Sequence, residues 1–166
     1  MANKSDHTIP VEYIPKEKAI LCRYSDGLVA ELEFLDDPFG KRPGWITSPG
    51  TCPVRFIGER GWVETGDGGE IHSVIDGKST VIDKSGDRSR GFDVVNHVRD
   101  FFDCMRTRKP TSANSTVMRR SHVACHAAAL AWVLQRPLKI DPQTETFIGD
   151  EEANLLRSRP QRKDWA

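Results

Sequence analysis

The sequence predicts an α+β fold with an open, mainly antiparallel sheet built from hairpins, covered by two main helices and a short C-terminal helix. Its first half holds three pairs of apolar, strand-like runs, and a short glycine-containing turn separates the members of each pair. Its second half holds two segments in which apolar residues recur every three or four positions. Strands that precede the helices, instead of alternating with them, favour α+β over a doubly wound parallel sheet.

Length and charge bound the class of protein. The 166 residues suit one domain, and 24 basic and 24 acidic residues give a formal net charge of zero. A neutral chain offers no electrostatic reason to expect nucleic acid or an anionic membrane as partner. The sequence contains no run of about 20 apolar residues and no signal-like start. Because Cys22, Cys52, Cys104 and Cys125 show no paired spacing, we expect reduced thiols in a cytoplasmic protein.

The predicted hairpins lie in a domain that we place at residues 19–166, after an extended segment at residues 1–18. Asp26-Gly27 forms the first turn, and this pair is a strong signal for a two-residue connection. A long loop rich in proline and glycine, residues 36–53, follows the first hairpin and is expected to be functional or to form an interface. The predicted strand pairs are residues 19–24 with 28–34, 54–57 with 62–64, and 70–75 with 79–82.

The longest helical segment is residues 115–136, which contain no glycine or proline. A stripe of short side chains along this segment predicts close packing against a sheet or a second helix. The stripe consists of Val117, Ser121, Ala124, Ala128 and Ala131. An earlier helix is predicted at residues 93–106, a short edge strand at residues 138–140, and a final helix with Asp150 as its N-cap.

Nucleotide-binding motifs of the standard types are missing from the sequence. There is no GxGxxG, no Walker motif and no GxSxG. The nearest glycine-rich run, residues 66–69, lies between two predicted strands and not between a strand and a helix, so we interpret it as a turn.

Two histidine pairings could carry chemistry. His122 and His126 are four residues apart on one helix face, the spacing that metal ligands require. The glutamate of an HExxH motif is absent and two histidines are too few to close a metal site, so we expect an interface or pocket pair and no metal. Asp93 and His97 are also four apart, and a carboxylate can orient an imidazole for acid–base work. A helix-start acid beside a partly buried histidine is the simpler interpretation.

Basic residues flank the turn between the two long helices, and they could clamp a phosphate or a carboxylate, or form a solvated face paired with local acids. The cluster comprises Arg106, Arg108, Lys109, Arg119 and Arg120. The substrate- or anion-binding candidates from the whole sequence are His97, Arg119, Arg120, His122 and His126. No catalytic residue, cofactor-binding residue or metal ligand is predicted.

Several segments resemble the C-terminal region of bacterial oxidoreductases of the Gfo/Idh/MocA family, and the likeness runs from about Ala19 to the end. In the helical half they are HVRDFFDCMRTRKP, MRRSHVACHAAALAWVLQRPLKIDP, ETFIGDEEANLLRSRP and RKDW. In the strand half they are AILCRYSDGLVAEL, DPFG and GTCPVRFIGERGWVETGDGGEI.

The resemblance implies a two-domain enzyme of which this chain resembles only the second domain. Family members bind NAD or NADP in an N-terminal Rossmann domain, which also carries the catalytic lysine of a Glu-Lys-Pro motif. Their C-terminal α+β domain shapes the substrate pocket and forms subunit contacts. Here Glu17 and Lys18 are followed by Ala19 instead of proline, so the catalytic role is not carried over. Asp93 and His97 lie in a different helix from the family's acid–histidine pair and do not inherit that role either.

Two functions remain open at this stage. The first is a substrate-pocket and oligomerisation domain of an NAD(P)-dependent oxidoreductase, which is not catalytic on its own and meets NAD or NADP only through a Rossmann partner domain. The alternative is a stand-alone module that binds a sugar, polyol or carboxylate, or a structural interaction domain. The expected partner is a second copy bound through the sheet face, or a Rossmann domain.

Overall fold

A computed structural model of the chain describes residues 9–34, 44, 46, 53–66, 70–83 and 94–158. The chain divides into two compact units, one formed by Met1–Phe34 with Ala113–Ala166 and the other by Leu35–Ser112. Each unit contains an antiparallel sheet and at least one helix. The predicted α+β class is therefore confirmed, with the strands divided between two sheets.

The bounds of the elements follow the predicted hairpins and helices closely. In the first unit they are β1 (Glu12–Pro15), β2 (Ala19–Arg23), β3 (Val29–Glu33), α2 (Ser115–Leu134), β8 (Leu138–Asp141), β9 (Thr146–Phe147) and α3 (Glu151–Leu155). In the second they are β4 (Val54–Gly58), β5 (Gly61–Thr65), β6 (Glu70–Ile75), β7 (Lys78–Asp83) and α1 (Val94–Thr107). Among the described helices, none is both long and apolar enough to cross a membrane.

The sheet of the first unit has the strand order β3-β2-β1-β8-β9, and every neighbouring pair is antiparallel. Strand β1 falls inside the segment predicted only as extended, and it bonds to β2 on one side and β8 on the other. The prediction that residues 138–140 form an edge strand was wrong, because β8 lies between β1 and β9. Both neighbours are too short, at four and two residues, to show a strand period in the sequence.

Helix α2 packs on this sheet through its C-terminal half. Ala127, Ala128 and Ala131 are buried, in a core that also includes Tyr13, Ile20, Cys22, Leu138, Ile140 and Phe147. The predicted close packing of the small-residue stripe is confirmed there, whereas Val117 near the other end of the helix is 46% exposed. The Asn114 side chain accepts the N–H groups of Thr116 and Val117, so α2 begins with a satisfied N-cap.

The sheet of the second unit is a meander in the order β4-β5-β6-β7. The turn between β4 and β5 requires glycine at position 61, where φ is 143°. A Cβ atom built at Gly61 would meet the carbonyl oxygen of Val74 at 1.9 Å. The third hairpin turns at Asp76-Gly77, as predicted, with φ 49° and 75°.

Candidate functional site

One face of the β4–β7 sheet carries a row of charged and aromatic side chains, called the charged row below. Cross-strand pairing places Arg55 opposite Glu64 and Glu64 opposite His72. Glu70 and Trp62 lie two residues from His72 and Glu64 on their strands, so they project from the same face. The row comprises Arg55, Trp62, Glu64, Glu70 and His72.

The centre of the charged row is a buried ion pair. The Glu64 side chain is 0% exposed, and that of Arg55 is 18% exposed. Nε and Nη2 of Arg55 donate to the same Glu64 oxygen, Oε2, at 2.8 and 2.6 Å. The guanidinium carbon of Arg55 also lies 4.1 Å from the centre of the Trp62 ring, a cation–π arrangement. A buried carboxylate is costly unless it is paired, so Arg55 is the residue that makes Glu64 tolerable in this place.

A second carboxylate holds the imidazole of the row. His72 Nε2 and Glu70 Oε2 are 2.6 Å apart, and both side chains are largely covered. A carboxylate on one ring nitrogen orients the imidazole and sets which nitrogen carries the proton. The charged row therefore places hydrogen-bond donors and acceptors, together with an acid–imidazole pair, on a single rigid surface.

The opposite face of the same sheet is apolar and open to solvent, and we call it the apolar face. It carries Val54, Phe56, Ile71 and Ile82, all of which are exposed, with Phe56 at 63%. A sheet normally covers its apolar side and leaves charged side chains in water. In this sheet the four apolar side chains are exposed while Glu64 on the other face is buried, and exposed apolar patches of this kind mark contact surfaces.

Four of the five candidates predicted from the sequence lie on α2, in the first unit. Arg119 donates to Glu145 in the turn before β9 at 2.8 Å, so its charge is neutralised within the chain. Arg120 is half-buried. His122 and His126 are exposed, with their ring centres 6.1 Å apart and their planes inclined by 29°. In the part of the chain that the structure describes, no three histidine, cysteine, aspartate or glutamate side chains converge as a metal site.

His97 belongs to the other unit, where it is exposed on α1. Its proposed partner Asp93 lies outside the described residues, so that pairing stays a prediction. Of the basic cluster, Arg106 is bound to Asp103 on its own helix at 2.5 Å. The structure thus brings together only the His122–His126 pair among the five predicted residues.

Tyr13 and Cys22 form a buried cluster beneath α2 that is not reactive at neutral pH. Tyr13 and Cys22 are cross-strand partners in the core. Burial raises the pKa of the Tyr13 hydroxyl, and burial followed by the neighbouring Cys125 raises the pKa of Cys22 to about 11. The Tyr13 hydroxyl has no hydrogen-bond partner within the described structure. A thiol with so high a pKa is a poor nucleophile at neutral pH, so this cluster serves packing.

Sequence reasoning missed every member of the charged row, although a signal was present. Both hairpins that carry the row were predicted, and the glycines at 58 and 61 set the register that pairs Arg55 with Glu64. Extending that register to the next hairpin would have placed His72 beside them. What the register alone does not tell is which face of the sheet is covered.

The comparisons with known proteins give one match. A family model described as the C-terminal alpha/beta domain of an oxidoreductase family matches residues 60–166. The matched span includes the whole charged row except Arg55, and it includes all five residues predicted from the sequence. Comparisons with curated proteins and with solved structures return no significant match.

Proposed function

Because the chain belongs to the Gfo/Idh/MocA oxidoreductase family through its C-terminal alpha/beta domain, we propose that it forms the substrate-pocket domain of an NAD(P)-dependent oxidoreductase and is not catalytic on its own. The observation that supports this proposal is the charged row. A buried ion pair adds little net stability compared with apolar residues of the same volume. A function for Arg55 and Glu64 in holding a polar ligand explains their place better than stability does.

The chemistry of the row suits a ligand with several hydroxyl or carboxylate groups. Arg55 is a donor, Glu64 and Glu70 are acceptors, and His72 can act as either. Trp62 adds an apolar ring of the kind that packs against carbon–hydrogen faces. We therefore propose a sugar, polyol or small carboxylate as the substrate class, contacted by the partly exposed members of the charged row, with the fully buried Glu64 holding Arg55 in position.

The residues of this chain do not fit the nicotinamide cofactor itself. A dinucleotide pyrophosphate binds where a glycine-rich loop leads from a strand into a helix N-terminus. The glycine run at residues 66–69 instead connects β5 to β6, two strands of one meander. We therefore propose that a Rossmann domain supplies that site.

The apolar face supports a further part of the proposal, oligomerisation. We propose that a second copy of the chain covers Val54, Phe56, Ile71 and Ile82 in a two-fold dimer, since such interfaces use the same patch on both partners. A Rossmann domain seated on this face is the competing occupant. A cytoplasmic location belongs to the same proposal, and the free thiols at Cys22, Cys104 and Cys125 support it.

The proposal is tested by titrating the chain with NAD, NADP and a panel of sugars, polyols and carboxylates, followed by NMR of the histidine and tryptophan rings. We expect no binding of either nucleotide, and shifts at His72 and Trp62 with a member of the panel. His72→Asn should abolish the shifts, whereas His97→Asn, which alters an exposed histidine on α1, should leave them intact.

Three other outcomes separate the alternatives. Micromolar binding of NAD or NADP would contradict the proposal, and so would ligand shifts confined to His122 and His126. Shifts at His72 and Trp62 that saturate at micromolar and not at millimolar ligand would favour the stand-alone binding module, because a pocket that lacks the rest of its enzyme should bind weakly.

A further inference from the structure

We propose that His122 and His126 form an open site for a divalent late-transition-metal ion such as Cu²⁺, Ni²⁺ or Zn²⁺. This site lies in the first unit and does not rest on the function proposed above. The sequence predicted no metal here, because two histidines cannot close a four-coordinate structural site. An open site makes no such demand, since water fills the remaining positions.

The helix holds the two side chains at a fixed spacing. α2 runs without interruption over Ser115–Leu134, so positions 122 and 126 lie one turn apart on the same face. Residues four apart have their Cβ atoms about 5–6 Å from each other. Ala127, Ala128 and Ala131 bury the opposite side of the helix in the core, which keeps this segment in place.

The two rings lie near each other, though not yet in the arrangement of two imidazoles on one ion. A metal–nitrogen bond of about 2.0–2.1 Å puts the metal roughly 3.2 Å from each ring centre, so two ligands at tetrahedral or octahedral angles have ring centres about 4.5–5.2 Å apart. The observed separation of His122 and His126 is 6.1 Å, with planes inclined by 29°. Binding one ion therefore requires χ rotations that shorten the separation by about 1 Å and turn one nitrogen of each ring toward the ion. Both side chains are exposed, so no core packing opposes these rotations.

The surroundings suit a cation of this class. Arg119 lies one turn before His122 and is paired with Glu145, and this ion pair offsets the positive charge of the arginine. Imidazole nitrogen favours Cu²⁺, Ni²⁺ and Zn²⁺ over Mg²⁺ and Ca²⁺, which prefer oxygen ligands. Cys125 lies between the two histidines in sequence, but it does not join them in a three-ligand cluster among the described residues.

The test is isothermal titration of the full chain with Ni²⁺, which is redox-inert toward thiols under these conditions. We expect one ion per chain. His122→Ala and His126→Ala should each weaken binding by at least about tenfold, because the second imidazole binds intramolecularly once the first has bound. His97→Ala, on α1, should change nothing, and Mg²⁺ should not compete.

Two further variants keep the test decisive. Cys125→Ser should bind Ni²⁺ as the wild type does, whereas a loss would move the site to the thiol and overturn the proposal. Adding Met118→His to His126→Ala creates a new pair one turn earlier, with His122, and should restore the affinity; Met118 is exposed, so the change is tolerated. Wild-type affinity in either single alanine variant would also overturn the proposal.

Discussion

Arg136 and Asp150 join the end of α2 to the start of α3 through two hydrogen bonds. Arg136 Nε donates to Asp150 Oδ2, and Nη2 donates to Oδ1, each at 3.0 Å. The same Oδ1 accepts the N–H of Ala153 at 2.9 Å and so caps α3. The Asp150 carboxylate therefore caps the N-terminus of α3 and also binds the segment that follows α2.

The Asp150 carboxylate makes the free energy of unfolding depend on pH. The hydrogen bond from Arg136, followed by the one from Ala153, holds the pKa of Asp150 below its usual value. Because the pKa of Asp150 is lower in the folded state, its carboxylate stabilises the fold at pH values above the unfolded-state pKa, near 3.8. This contribution is lost as the pH falls through the folded-state pKa. Asp150→Asn should therefore melt below the wild type at pH 7, with a gap that closes at acid pH. Thermal melts from pH 7 to pH 2 measure the gap, and a gap independent of pH would contradict the assignment; Glu59→Gln, in an exposed turn, is the control.

The packing of α2 predicts a contrast between neighbouring alanines. Ala128 is buried in the core, whereas Ala129 is exposed on the same helix. Ala128→Leu should destabilise the fold by about 1–3 kcal/mol through overpacking, and Ala129→Leu by much less. Urea unfolding of both variants measures the difference. Equal midpoints for the two would show that α2 does not lie close to its sheet.

Breaking the ion pair of the charged row should lower the stability of the fold, and a second substitution should restore it. Glu64→Leu removes the carboxylate oxygen to which Arg55 Nε and Nη2 donate, and should cost about 3–5 kcal/mol. Adding Arg55→Met should recover most of that loss, since an apolar pair can replace a buried ion pair. The exposed pair Arg60–Asp76 on the same sheet is the control, and Arg60→Ala there should change the unfolding midpoint little. If the double variant is no more stable than Glu64→Leu, the pair is not coupled as the distances indicate.

Thiol reactivity should follow burial. Cys22 is buried, with its pKa raised to about 11, so it should resist a thiol reagent in the native protein up to about pH 9. Cys125 is exposed and should react in the native state. Native and denatured thiol counts of Cys22→Ser and Cys125→Ser measure this. A native count that falls in Cys22→Ser would contradict the prediction.

The apolar face predicts how a dimer would be broken. Phe56 and Ile57 are adjacent and exposed, but they point to opposite faces of the β4–β7 sheet. Phe56→Arg should convert a dimer to a monomer in light scattering, because it places a charge in an apolar contact. Ile57→Arg should leave the dimer intact. A wild-type chain that stays monomeric at high micromolar concentration would remove the basis for the dimer.

The strand pairs and helices could be predicted because their signals are local. Gly27 in the first turn, and Asp76 and Gly77 in the third, have the positive φ values that such turns need, and Asp150 marks a helix start by its side-chain oxygen. The family resemblance was also visible in the sequence, and the match confirms its C-terminal oxidoreductase domain over residues 60–166. The turns and the helix start are local. These features need only the residues within a few positions of each other.

The arrangement of the site depended on contacts that are distant in the sequence. The position of β8 inside the sheet is set by its pairing with β1, more than 120 residues earlier. Each strand has only four residues, too few for a strand period that would predict the pairing from the sequence. Likewise, a strand period shows that Arg55, Glu64 and His72 share a face, but it does not show that Glu64 is buried there. Which side chains of a sheet are buried depends on what the rest of the chain packs against. The sequence by itself therefore determined the elements and the family, and only the tertiary structure revealed that Glu64 is fully buried in the charged row while Val54, Phe56, Ile71 and Ile82 are exposed on the other face.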